Sequence, residues 1–147
     1  MMTQVGFHLL ESQSGAEAYL RLIGKCVQSL YKQGRKVYIH AKDEEQAHAV
    51  DEWLWTQELD DFVPHNIVGE GPNRPPPVQI GYATSAQKPP ENQHDCLINL
   101  SGEVQPFFSY FLKCFEIVPN EEADKESARE RYKFYRSRGY PLVHKKY

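Results

Sequence analysis

The chain has 147 residues, of which 40% are hydrophobic and 25% charged, a size and balance that suit one globular domain over residues 1–147 with a core needing neither disulfides nor metals. Its few glycines and prolines gather between patterned segments, which excludes a collagenous fibre, a repeat array and a disordered tract. The opening MMTQVGFHLL has no basic start and too short an apolar run for a signal peptide or membrane span, so a cytoplasmic location without membrane contact is expected, and the formal net charge of −3 conceals a strong asymmetry along the chain.

Val5 to Leu10 is short, apolar and partly alternating, the pattern of a strand. Ser14 and Glu17 have the spacing of a capping box, and Ala18, Leu22, Cys26 and Leu30 recur at helical intervals up to a stop signal at Gly34, which predicts a helix. KVYIHA at Lys36 to Ala41 predicts a second strand, and Asp43 with Gln46 opens a second helix through Ala47, Val50, Asp51 and Leu54. From Thr56 to Pro77, Pro64, Gly69, Gly71, Pro72 and the run Pro75-Pro76-Pro77 predict one long loop. Val78 to Ala83 and Asp95 to Leu100 have strand character, separated by a polar connection, Thr84 to His94, that is expected to be mobile. Phe107 to Leu112 predicts a short aromatic helix, Phe115 to Val118 a buried strand, and Glu121 onward a helix up to Gly139. This alternation predicts an α/β fold, a three-layer α/β/α sandwich built on a mostly parallel, Rossmann-like sheet.

Such a sheet invites a nucleotide-binding loop after its first strand, but ESQSGAEA follows Leu10, with neither GxGxxG nor GxxxxGK[ST]. The GEGP at Gly69 to Pro72 lies in a loop and lacks the phosphate-binding lysine and hydroxyl. Six histidines are scattered without the i, i+4 spacing of a helical zinc site. His8 and His40 are expected as hydrogen-bonded sheet residues, and His65, fixed behind Val63-Pro64, as a structural anchor. Cys26, Cys96 and Cys114 are odd in number, lack CxxC spacing and lie in apolar segments, so they are expected as reduced core residues. No serine stands in a GxSxG elbow, and the paired acids Glu44-Glu45, Asp60-Asp61 and Glu121-Glu122 fit solvated helix starts or loops. No catalytic residue, metal ligand or cofactor is expected.

Charge is segregated. Lys125 to Tyr147 holds eight basic residues against Glu126 and Glu130, a local charge of +6, while the preceding residues carry −9. Within the last predicted helix Lys125, Arg129, Lys133 and Arg136 share one face, and Ala128, Tyr132 and Tyr135 share the face beside it. A solvated amphipathic helix would have this pattern. So would a site for an acidic peptide with an aromatic end, or for single-stranded nucleic acid, since arginine clamps carboxylates and phosphates and tyrosine offers a ring.

Several segments taken together resemble a known family: Leu54-Trp55, then Phe62-Val63-Pro64-His65-Asn66 and Gly69-Glu70-Gly71-Pro72, then Phe115 to Pro119, then Ala128-Arg129-Glu130-Arg131-Tyr132-Lys133, Tyr135-Arg136 and Gly139. They are similar to the chi subunit of bacterial DNA polymerase III, from the first strand to about Tyr140, whereas Thr84 to His94 and the closing PLVHKKY carry little of the likeness. The resemblance implies a non-catalytic subunit bridging two partners, with only indirect contact to DNA. One partner is the psi subunit, forming a heterodimer that links to the clamp-loader complex. The other is the acidic, phenylalanine-terminated tail of the single-stranded-DNA-binding protein. The tail pocket is matched by Val118, Arg129, Tyr132 and Gly139, with Lys125 and Lys133 nearby, and the psi-facing surface by Trp55, Phe62 and Val63. The alternative is a stand-alone single-stranded nucleic-acid-binding module.

Overall fold

The computed structural model describes residues 2–56, 63–68, 76–83 and 94–147, so Phe62, the GEGP segment and most of the 84–94 connection lie outside the described residues. The elements run β1 (Gln4–Leu9), α1 (Ala16–Lys32), β2 (Val37–Ala41), α2 (Glu44–Thr56), β3 (His65–Ile67), β4 (Val78–Tyr82), β5 (Cys96–Asn99), a 3₁₀ turn (Phe108–Tyr110), β6 (Lys113–Val118), α3 (Glu122–Ser137) and β7 (Leu142–Lys146). Seven strands form one sheet in the order β3-β4-β2-β5-β6-β1-β7, and every pairing among them is parallel. The α/β class and the sandwich follow the sequence expectation.

The strands sort their side chains by the period of two. In β2, Val37, Ile39 and Ala41 join the core formed with α1 and α2, which also takes Leu22, Val27, Val50, Leu54, Ile80 and Ile98. Tyr38 points the other way, into a second core beneath α3 with Val5, Phe7, Leu97, Phe108, Phe111, Val118, Ala128 and Tyr135. Both faces of the sheet are thus covered, the reason these strands read as near-continuous apolar runs.

Local details differ from the sequence reading in four places. The Ser14–Glu17 capping box does not form: Gly15, at φ 98°, holds the N-cap without a side-chain bond, and Glu17 pairs with Arg21 at 3.2 Å. At α2 the expected cap is present, with the Gln46 N–H donating to Asp43 Oδ1 at 2.8 Å and the Gln46 amide accepting from the Lys42 N–H at 2.7 Å. The expected long loop from Thr56 to Pro77 contains β3, and the aromatic segment after Phe107 closes as a three-residue 3₁₀ turn rather than a helix. A seventh strand, β7, occupies the tail for which no strand was expected; exposed along most of its length, it pairs with β1 on one side only.

All three cysteines are reduced and buried. His8 bonds Tyr147 Oη through Nδ1 at 2.7 Å, and His40 bonds Tyr38 Oη at 2.9 Å. His65 is the expected anchor, its Nδ1 donating to the Val63 carbonyl at 2.7 Å. No helix among the described residues is long and apolar enough to cross a membrane.

Candidate functional site

In an open parallel sheet, ligands favour the crevice beyond the carboxyl ends of the strands. Here that region is a cavity of about 380 Å³ lined in part by Tyr19, Asp43, Gln46, Asn99, Leu100 and Arg131. Several of its polar groups are already engaged. Asp43 caps α2, so a carboxylate stands where a phosphate would meet the helix end. The Tyr19 hydroxyl donates to the Ile117 carbonyl at 2.6 Å.

Arg131 and Asn99 belong to a buried network around Glu116. Arg131 Nε donates to Glu116 Oε1 at 3.0 Å, while Tyr135 Oη and Asn99 Nδ2 donate to Oε2 at 2.7 and 2.9 Å. Burial pushes the Glu116 carboxyl above the ordinary range, and Arg131, Tyr135 and Asn99 oppose that rise. The guanidinium is completed by the Gly102 carbonyl at 2.9 Å and Ser127 Oγ at 2.7 Å. These bonds fasten α3 to β6 and to the turn after β5. Within this network they leave no free acid or base. The thiols offer no nucleophile either: burial pushes Cys26 up to about 11 and Cys96 up to about 12. Among the described residues no group of three or more His, Cys, Asp or Glu is arranged to hold a metal ion.

The outer side of α3 is different. A groove of about 460 Å³ runs between this helix and the β1–β7 edge of the sheet. Its apolar floor is Phe7 and Leu9 from β1 with Ala128 and Tyr132 from α3, and its rim carries Lys125, Arg129, Lys133 and Arg136 from α3 with His144 and Lys146 from β7. The four α3 cations lie at steps of four, four and three, so the helix turns them to one side while Ala128, Arg131 and Tyr135 point into the protein. Tyr132 is half-buried, its ring 5.5 Å from Phe7. Arg129 is exposed and, among the described residues, held only by Glu122 at 3.6 Å, a pair worth at most about 1 kcal/mol.

Of the residues matched to a tail pocket, Lys125, Arg129, Tyr132 and Lys133 come together in this groove. Val118 does not line it. That side chain is 1% exposed in the α3 core, and its β1 neighbour Leu9 presents the apolar surface instead. Gly139, at φ 80°, ends α3: its N–H donates to the Arg136 carbonyl and the Tyr140 N–H to the Tyr135 carbonyl. Phe7, Leu9, His144 and Lys146 escaped the sequence reading. The basic count of the last segment included Lys146, but nothing set that segment beside α3 until β7 was known to pair with β1.

On the other edge of the sheet, Trp55 near the end of α2 is 58% exposed, its ring 4.8 Å from His65 of β3. His65 is buried and its Nε2 meets the Asp51 carboxylate at 3.4 Å, so the indole rests on a fixed base. Val63 is wholly buried, a core residue beneath this surface.

The family model described as DNA polymerase III chi subunit, HolC, matches residues 2–143. The chain belongs to the DNA polymerase III chi subunit family. Curated relatives agree. The chain is 36% identical over 144 residues to DNA polymerase III subunit chi of Escherichia coli K12, covering 96% of both chains. To the Pseudomonas aeruginosa PAO1 subunit chi it is 34% identical over 141 residues, covering 96% and 94%. The Haemophilus influenzae Rd subunit chi is 39% identical over 114 residues, 78% of this chain and 77% of that one. Family membership makes this an accessory, non-catalytic subunit of DNA polymerase III.

Proposed function

We propose that the chain joins two partners within the polymerase III assembly, working in the cytoplasm. The groove beside α3 holds the acidic, phenylalanine-terminated tail of the single-stranded-DNA-binding protein. The surface around Trp55, backed by the buried Val63, faces psi, which links the resulting heterodimer to the clamp loader. Contact with DNA is then indirect.

The observation that carries this reading is the combination of a cationic rim with an apolar, partly aromatic floor in one groove. A terminal phenylalanine brings an apolar ring and a carboxylate within a single residue. The ring is satisfied by Phe7, Leu9, Ala128 and Tyr132, and the carboxylate by Arg129, which can offer two parallel N–H bonds once it leaves Glu122. Lys125 and Lys133 add attraction at longer range and speed association. Trp55 supports the psi-facing half, because a large exposed ring on a rigid backing is the kind of residue that anchors interfaces.

Glu11, Glu122 and Glu130 stand around the groove, so a nucleic-acid backbone continuing past it would meet carboxylates. This favours a short peptide over a long polyanion. Calorimetric titration with the tail peptide tests the reading: Arg129→Ala should weaken binding at least tenfold, the loss of a charge-assisted contact of about 1.5–3 kcal/mol, with the denaturation midpoint unchanged. Affinity should also fall as salt rises. Wild-type affinity in Arg129→Ala, or displacement of the peptide by oligothymidylate, would overturn it.

A further inference from the structure

The groove has a second wall that α3 does not supply. β7 is the outermost strand on its side of the sheet, and its register sets His144 beside Phe7 and Lys146 beside Leu9. Because side chains alternate across a strand, these two face α3, whereas Lys145 between them faces the α1 side, near Lys25, Cys26 and Tyr147. His144 and Lys146 therefore occupy two successive rungs along the groove, across from Lys125, Arg129, Lys133 and Arg136.

Lys146 faces these α3 cations across the apolar floor, an arrangement unfavourable in the free protein, and His144 beside it offers a ring N–H donor. The only acid lining the groove among the described residues is Glu11, whose carboxylate stands 3.9 Å from Lys146. No carboxylate lies within ion-pair reach of Lys125, Arg136 or His144 among the described residues. One bound carboxylate on the α3 side would leave Lys146 with Glu11 alone and His144 with no carboxylate partner among the described residues. An extended peptide would not: its side chains also alternate, and residues two apart lie roughly 6.8 Å from each other, the spacing of the two rungs.

We infer that β7 is a second anion wall, on which His144 and Lys146 hold side-chain carboxylates, two residues apart, of an acidic peptide lying along the groove ahead of the apolar residue seated on its floor. The inference rests on the tail-binding reading and adds the strand that reads the acidic part of that tail. Binding displaces Glu11 from Lys146.

The test uses the full chain and two synthetic decapeptides, one with four aspartates before an apolar stretch and a terminal phenylalanine, the other with asparagines in their place. Lys146→Glu and His144→Glu should each weaken the aspartate peptide about three- to tenfold and change the asparagine peptide by less than about twofold, the scale of partly exposed charge pairs. Thermal midpoints should stay at the wild-type value, since both residues are exposed. Wild-type affinity in both variants, or equal losses for the two peptides, overturns the β7 wall. If the wild-type protein binds the two peptides equally well, the tail-binding reading stands and the wall falls. If it binds neither, both fall together.

Discussion

Glu116 is fully buried, and the side chains around it set its cost. Arg131 is the counter-charge, so Arg131→Ala leaves a buried carboxylate alone and should lower unfolding free energy by about 3–5 kcal/mol in urea denaturation. Glu116→Gln combined with Arg131→Met should lose less than the single change, because the penalty belongs to the unpaired charge rather than to the missing pair. His40 is a second residue with a measurable signature. It is 2% exposed, its Nε2 has no partner among the described residues, and burial pushes its pKa from 6.5 down to about 4. The unfolded chain takes the proton first, so the stabilisation is fully present above pH 6.5 and is lost as pH falls toward 4. His8, lowered by burial and by Lys145, acts in the same direction. Urea midpoints measured between these limits should fall on acidification, and His40→Gln should flatten part of that slope. An unchanged slope would remove His40 from the account.

Helices α1 and α3 end in the same way. After each, a glycine at positive φ, Gly34 at 76° and Gly139 at 80°, lets the following N–H turn back to a carbonyl of the last turn. Gly34→Ala and Gly139→Ala should each cost about 1 kcal/mol in thermal or urea denaturation. Tail affinity separates them: Gly34→Ala should leave it unchanged, and Gly139→Ala should reduce it by resetting the end of the helix that carries the cations. Both glycines were legible as stop signals, as were the two long helices, the buried strands and the α3 stripe, because each follows from spacing alone. What escaped had a different physical origin. β3 is three residues long and set among prolines, and β7 turns polar after Val143, with one edge and most of its side chains meeting water. Neither shows the apolar run that marks an inner strand: in β7 only Leu142 and Val143 are apolar before His144, Lys145 and Lys146. At α1, Ser14 with Glu17 had the letters of a cap, but the extra backbone freedom of Gly15 took the position. The groove was half legible for the same reason: its α3 wall came from helical periodicity, and its β1 and β7 walls exist only through pairing between distant segments.

At the scale of the whole molecule, the two surfaces assigned to partners lie at opposite ends of the strand order, Trp55 beside β3 and the groove beside β7. Six inter-strand steps at about 4.8 Å each put these edges roughly 29 Å apart, beyond the screening length of physiological salt. Binding at one should leave the other almost unchanged. Titrating psi into the protein with and without saturating tail peptide should give affinities that agree within about 0.5 kcal/mol; a larger coupling would point to a sheet that transmits strain between its edges. The outer strand has one more consequence. A parallel edge left unpaired is an invitation to any passing strand, including β7 of a second copy. His144, Lys145 and Lys146 stand in succession along that edge, so a second copy's strand would have to approach past exposed cationic side chains, and a parallel, in-register approach would set lysine against lysine. The residues inferred to welcome an acidic chain therefore also guard the open strand against a duplicate of itself.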